Sequence, residues 1–258
     1  MAMPRMMYGT AWKKERTTEL VYQALKAGFR GIDTACQPKH YREDLVGAGI
    51  QRAVQEGIIR RDEVFIQTKY TSIQGQDTSQ PLPYDPRASI ADQVTQSIAK
   101  SLANLQVDYI DSVVLHSPLK TREDTLTAYR TLEGFQAQGK IRMLGISNIY
   151  DVGLLRWLIE RVEVPIGVVQ NRSFWTLTGS PVLLQNPLVS SLSRKSAFTP
   201  EQTVYRIAQL FGITPLCGST DEVHMKEALA ADTAAPGFGD DDEEAKTIMT
   251  LMRGGESG

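Results

Sequence analysis

Short apolar runs alternate along the chain with stretches whose apolar residues recur every three or four positions. Val64-Phe65-Ile66-Gln67-Thr68-Lys69 and Tyr109-Ile110-Asp111-Ser112-Val113-Val114-Leu115 are the clearest runs. Gly31-Ile32-Asp33-Thr34, Met143-Leu144-Gly145-Ile146-Ser147, Ile166-Gly167-Val168-Val169-Gln170 and Ile213-Thr214-Pro215-Leu216 are shorter ones. Continuous apolar runs of this length suit strands buried on both faces, as in a parallel sheet. Between them, Ile90, Val94, Ile98 and Leu102 repeat at four-residue spacing and predict a helix over 88–105. Leu126, Tyr129 and Leu132 predict a second, ending before Gly139; residues 17–27 predict a third, ending at Gly28. Leu154, Leu155, Leu158 and Ile159 mark a fourth over 151–162. Uninterrupted alternation of strand and helix predicts a parallel α/β architecture, read as one domain over residues 1–258.

Three stretches break the rhythm. Residues 71–86 carry three prolines directly after a strand, and a loop this long in a compact domain is usually functional or disordered. Residues 237–258 begin with a Gly/Asp/Glu run and predict a flexible acidic linker followed by a short apolar helix with Ile248, Leu251 and Met252. The third break follows Gln170.

Composition narrows the class of partner. The 258 residues are 41% hydrophobic and 22% charged, as in an ordinary globule, and the net charge of −2 offers no case for nucleic acid or an anionic membrane. Apolar runs are too short to span a bilayer, and residues 1–14 lack the apolar core of a secretory signal, so a cytoplasmic setting is expected. Cys36 and Cys217 form neither a disulfide framework nor a metal pattern, and no metal is expected.

Polar residues collect at the C-terminal ends of the expected strands: Asp33, Lys69, His116, the pair Ser147-Asn148, and Gln170. In a parallel barrel that face is where chemistry gathers. Tyr41 lies in the turn after the Asp33 strand. A free tyrosine titrates near pH 10, too high for efficient proton exchange at neutral pH. A neighbouring Lys69 ammonium would favour the phenolate, Asp33 would hold that ammonium charged, and His116 could orient a substrate carbonyl. Such a set suits protonation of an alkoxide as a hydride arrives.

Gly9-Thr10-Ala11-Trp12-Lys13, Gly28-Phe29-Arg30-Gly31-Ile32-Asp33-Thr34-Ala35, Gln67-Thr68-Lys69, Leu115-His116-Ser117-Pro118 and Gly145-Ile146-Ser147-Asn148 stand in order at these strand ends, and together the chain resembles the aldo-keto reductases. The resemblance runs from about residue 5 to 230 with one gap. It implies a TIM-type (β/α)8 barrel, NADPH as cofactor, a small aldehyde or ketone as substrate, and Asp33, Tyr41, Lys69 and His116 as the catalytic tetrad with Tyr41 as general acid. It further implies that Ser147, Asn148 and Gln170 hold the nicotinamide carboxamide, with Thr10, Ala11 and Asp33 beside the cofactor. Trp175 and Leu177 would lie in the pyrophosphate loop. Gly218, Ser219, Thr220 and His224 would lie at the adenosine phosphate, where the helix start after Thr220 would also offer backbone N–H groups. No G-x-G-x-x-G is found, which disfavours a Rossmann fold.

The chain departs from the family in three places. Tyr41 is farther from Asp33 than is usual. Gly218 and His224 stand where many relatives carry the Lys and Arg that select the 2′-phosphate. Gln170-Asn171-Arg172 runs straight into Ser173-Phe174-Trp175, so one βα unit of roughly 30 residues is missing near 171–173 and the barrel is expected to be incomplete. Two readings stay open: an active carbonyl reductase, and a weak or inactive relative serving as a cofactor-binding or interaction module. A Schiff-base aldolase is disfavoured, because a lysine beside Asp33 stays protonated and is a poor nucleophile.

Overall fold

The computed structural model describes residues 2–171, 181–233 and 237–252. Two compact units divide the chain, the first holding Met1–Met3, Tyr8–Lys26 and Arg30–Asn171, the second Pro4–Met7, Ala27–Phe29 and Arg172–Gly258.

The first unit alternates strand and helix: β1 (Met7–Gly9, whose Met7 belongs to the second unit), α1 (Thr17–Ala27), β2 (Gly31–Asp33), α2 (Glu43–Gln55), β3 (Phe65–Tyr70), α3 (Ile90–Leu105), β4 (Ile110–Leu115), α4 (Arg122–Ala137), β5 (Ile141–Ser147), α5 (Val152–Ile159) and β6 (Val168–Gln170). Every strand pairs in parallel with the next one in sequence, as expected when each connection carries a helix back across the sheet. Every residue of β3 and of β4 is buried, so their polar members, Gln67, Thr68, Lys69, Asp111 and Ser112, have to find partners inside the protein. Ser89 caps α3 by accepting the Asp92 N–H, and Thr121 caps α4 by accepting the Asp124 N–H. Past α4, Gly139 takes φ 72°, a left-handed turn that a side chain would strain. A Cβ on Gly47 would lie 2.1 Å from the Asn104 carbonyl, so glycine lets α2 pack tightly on α3.

Registered residues form polar rows across these strands. Gly9 pairs with Asp33, Asp33 with Gln67, Gln67 with Ser112, and Ser112 with Met143. Side chains at one level of a parallel sheet share a face, so Asp33, Gln67 and Ser112 stand side by side.

A second polar cluster ties three strands at their other end. Buried Asp111 of β4 accepts from Arg61 at 2.8 Å, from Arg142 at 3.1 Å and from the Ile66 N–H at 3.1 Å. Both guanidinium groups also lie over the Tyr109 ring, at 4.1 and 3.9 Å. Asp111→Ala is expected to cost about 2–3 kcal/mol in a denaturant melt, less than for a fully enclosed pair because Arg142 reaches solvent.

The second unit holds α6 (Pro181–Leu184), α7 (Pro187–Ser196), α8 (Pro200–Leu210), β7 (Leu216–Cys217), α9 (Glu222–Thr233) and α10 (Glu243–Met252). Asn186 and Thr199 cap α7 and α8, each with proline in the first turn. Val189, Leu192, Val204, Ile207, Ala245, Ile248 and Met249 form its core. The stretch expected as an acidic linker contributes buried Phe238 to that core, and Lys195 pairs with both Asp242 and Glu244. Pro215 accepts the Met7 N–H at 3.1 Å. The strand expected over 213–216 is the shorter Leu216–Cys217. Among the described residues no helix is long and apolar enough to cross a membrane, and no group of His, Cys, Asp or Glu could hold a metal ion.

Candidate active site

The strand ends of the first unit bring Asp33, Lys69, Tyr41 and His116 together. Asp33 closes β2 and Lys69 is the next-to-last residue of β3. The Lys69 ammonium donates to both carboxylate oxygens of Asp33, at 2.7 and 2.8 Å, and to the Thr34 carbonyl at 2.7 Å. The Lys69 and Asp33 side chains are only 3% and 5% exposed. Two charges taken this far from water persist because each is matched by the other and by further hydrogen bonds. Gln67 adds another donor to Asp33 at 2.8 Å.

Tyr41 sits in the turn ahead of α2, its N–H bonded to the Gln37 carbonyl. Its ring centre lies 5.4 Å from Lys69 Nζ and 6.1 Å from the His116 ring, which meets it edge-on. His116 follows β4, and its Nδ1 is 2.7 Å from the Thr71 hydroxyl. The loop beginning at Thr71 is tied down by hydrogen bonds: the Tyr84 hydroxyl and the Gln76 amide both donate to the Thr71 carbonyl, and Gln37 donates to the Gly75 carbonyl. Part of the 71–86 loop therefore buttresses His116.

Glu43, two residues past Tyr41, is a buried carboxyl. It accepts from the Thr68 hydroxyl at 2.5 Å and from the Asn104 amide at 3.1 Å. Burial pushes its pKa above the ordinary carboxylate value, against the opposing pull of those hydrogen bonds. A carboxyl whose pKa is raised on folding contributes stability that is complete below its unfolded pKa and is lost as pH rises toward the folded value. Glu43→Gln is therefore expected to gain melting temperature relative to the unaltered chain at pH 7 compared with pH 4, as read by paired thermal melts.

Ser147 ends β5 and donates to the Gln170 carbonyl at 2.6 Å. Asn148, at φ 50°, donates to the His116 carbonyl at 2.8 Å. Gln170 closes β6 and accepts the Gln67 amide at 3.1 Å. Hydroxyl and amide groups of this kind supply both the donors and the acceptors that a carboxamide needs. Thr10 is buried and donates through its hydroxyl to the Asp33 carbonyl at 2.9 Å, with half-buried Ala11 next to it. Trp12 stacks on His40, ring centres 3.7 Å apart.

The expected phosphate residues belong to the second unit. Gly218, Ser219 and Thr220 precede α9, and His224 stands in its first turn. The Val223 and His224 N–H groups, expected to be available to a phosphate, are already bonded to the Asp221 carboxylate at 2.8 and 3.2 Å. Trp175 and Leu177 lie outside the described residues. Gln67, Thr71 and Ser112 were not singled out from sequence. The signal was available for Gln67, since it is two residues before Lys69 and shares its face of β3.

The model of the aldo/keto reductase family matches residues 5–175. The NAD(P)H-dependent D-xylose reductase of Candida tenuis is 30% identical over 194 residues, covering 65% of this chain and 55% of that protein. Aldo-keto reductase AKR2E4 of Bombyx mori is 32% identical over an alignment of 264 positions that covers 86% of this chain and 80% of the relative. That alignment is longer than the chain itself, so part of the relative has no counterpart here. The chain spans about half the length, 55–56%, of the yeast xylose reductases it matches. An aldo-keto reductase enzyme from a Medee basin deep-sea metagenome library superposes with a TM-score of 0.78 at 25% identity, covering 100% of this chain and 94% of that one. The fold is thus that of the family's (β/α)8 barrel, incomplete, with six parallel strands, β1 to β6, in the first unit.

Proposed function

The chain belongs to the aldo/keto reductase family, and on that premise we propose that it reduces the carbonyl of a small aldehyde or ketone to an alcohol with NADPH, Tyr41 serving as the general acid. The observation that carries this reading is the buried Asp33–Lys69 pair beside the Tyr41 and His116 rings.

NADPH, when bound, supplies the hydride for the carbonyl carbon. Tyr41 gives its proton to the carbonyl oxygen as that oxygen becomes an alkoxide, so hydride and proton together complete the alcohol. The Lys69 charge stabilises the phenolate left behind, and Asp33 keeps that charge in place. His116, held by Thr71 through Nδ1, orients the carbonyl oxygen toward Tyr41. Ser147, Asn148 and Gln170 would hold the carboxamide of the cofactor, with Thr10 and Ala11 beside it. Ser219, Thr220 and His224 would meet its adenosine phosphate without the usual Lys and Arg. One domain over residues 1–258 is part of the same reading.

Titration with NADPH, with NADH in parallel, tests the proposal through quenching of tryptophan fluorescence. Saturable quenching that favours NADPH is expected. Failure of both nucleotides to bind a chain that is folded by circular dichroism would leave the alternative, a relative without hydride chemistry acting as an interaction module.

A further inference from the structure

Gln67 is 1% exposed, and an amide so deeply buried is tolerated only when its polar atoms are matched. Its nitrogen donates to Asp33 Oδ1 at 2.8 Å and to Gln170 Oε1 at 3.1 Å, and its oxygen accepts the Ser112 hydroxyl at 2.9 Å. The Asp33 carboxylate only accepts, so it dictates which end of the Gln67 amide faces it. That choice passes along the chain of bonds. Gln170 must offer its oxygen to Gln67, which leaves its amide nitrogen as the donor end.

The bond to Gln170 is not a rung between neighbouring strands. β4 and β5 lie between β3 and β6 in the sheet, so Gln67 reaches Gln170 as a chord across the curved interior. β6 is three residues long, pairs with β5 alone among the described strands, and leaves Val169 46% exposed. A strand with one paired edge lacks the second ladder that would fix its position.

We propose that Gln67, backed by Ser112, is a positioning residue that braces the end of β6 against the Asp33–Lys69 pair and sets the amide of Gln170 for the cofactor carboxamide. This rests on the reading of Gln170 as a carboxamide holder. Where the family barrel has a further βα unit after this strand, the brace does through the interior what a neighbouring strand does along an edge. It also joins the proton-handling side of the site to its cofactor side through one side chain.

Gln67→Met removes the three hydrogen bonds at similar volume, and Gln67→Met/Ser112→Ala also removes the hydroxyl that the single change orphans. NADPH affinity, read by fluorescence titration, is expected to fall about tenfold in both variants, while the double variant melts higher than the single one. An affinity equal to that of the unaltered chain in Gln67→Met, or one restored in the double variant, overturns the brace. If the unaltered chain binds no NADPH, the functional reading itself falls and the brace falls with it. Should Gln67→Met not fold, the unaltered chain gives the answer by NMR of its side-chain amides. The Gln67 amide is expected to be protected from exchange, and that of Gln170 to shift on NADPH addition. A Gln67 amide that exchanges like an exposed glutamine contradicts the proposal.

Discussion

Tyr41→Phe is expected to lower kcat for carbonyl reduction by about a hundredfold to ten-thousandfold, the range typical of a lost general acid, while NADPH affinity is unchanged. Removing one oxygen takes away the proposed proton source and leaves the ring, with its neighbours Lys69 and His116, in place. His40, the adjacent side chain, stacks on Trp12, and His40→Asn should retain most of the turnover. Steady-state kinetics on both variants separate the two residues. Equal loss in both, or none in Tyr41→Phe, would remove Tyr41 from the role of acid.

Lys69→Met carries the largest expected loss of stability. It leaves Asp33 buried with the Gln67 amide as a remaining donor and strips the Thr34 carbonyl of its partner. Breaking a buried pair from one side costs about 3–5 kcal/mol, because the remaining charge stays out of water. Adding Asp33→Asn should recover part of that loss in urea melts, since a neutral amide replaces the stranded carboxylate. Turnover should not recover, because the phenolate form of Tyr41 has lost its neighbouring cation. A double variant no more stable than Lys69→Met would mean that the pair is not coupled as its geometry indicates.

Strand ends were legible because each apolar run stops at a polar residue, and Asp33, Lys69, His116, Ser147 and Gln170 mark those stops. Helices with four-residue spacing, such as 88–105, were equally legible because one face carries the burial. β1 escaped notice, since the three residues Met7-Tyr8-Gly9 make no pattern. The helices over 181–210 also went unread, although Asn186-Pro187 and Thr199-Pro200 carry the cap and first-turn signals. Glu43 reads as an ordinary acidic helix start, and only the packing of α2 against β3 and α3 buries it. Gln67 looks like a polar interruption of a strand. The two-residue spacing from Lys69 puts it on the site's face, but its partners come from cross-strand register with Asp33 and Ser112 and from a bond across the interior, which no local pattern encodes.

The proposed hydride transfer from NADPH to a carbonyl carbon is followed most directly through the fate of a label. The unaltered chain is incubated with NADPH deuterated at the transferring carbon and a panel of aldehydes and aldoses, and the alcohols formed are analysed by mass spectrometry. An alcohol carrying one deuterium on the former carbonyl carbon is the expected result. Alcohol without the label, or no alcohol from a chain that binds NADPH, would rule out hydride transfer from the cofactor.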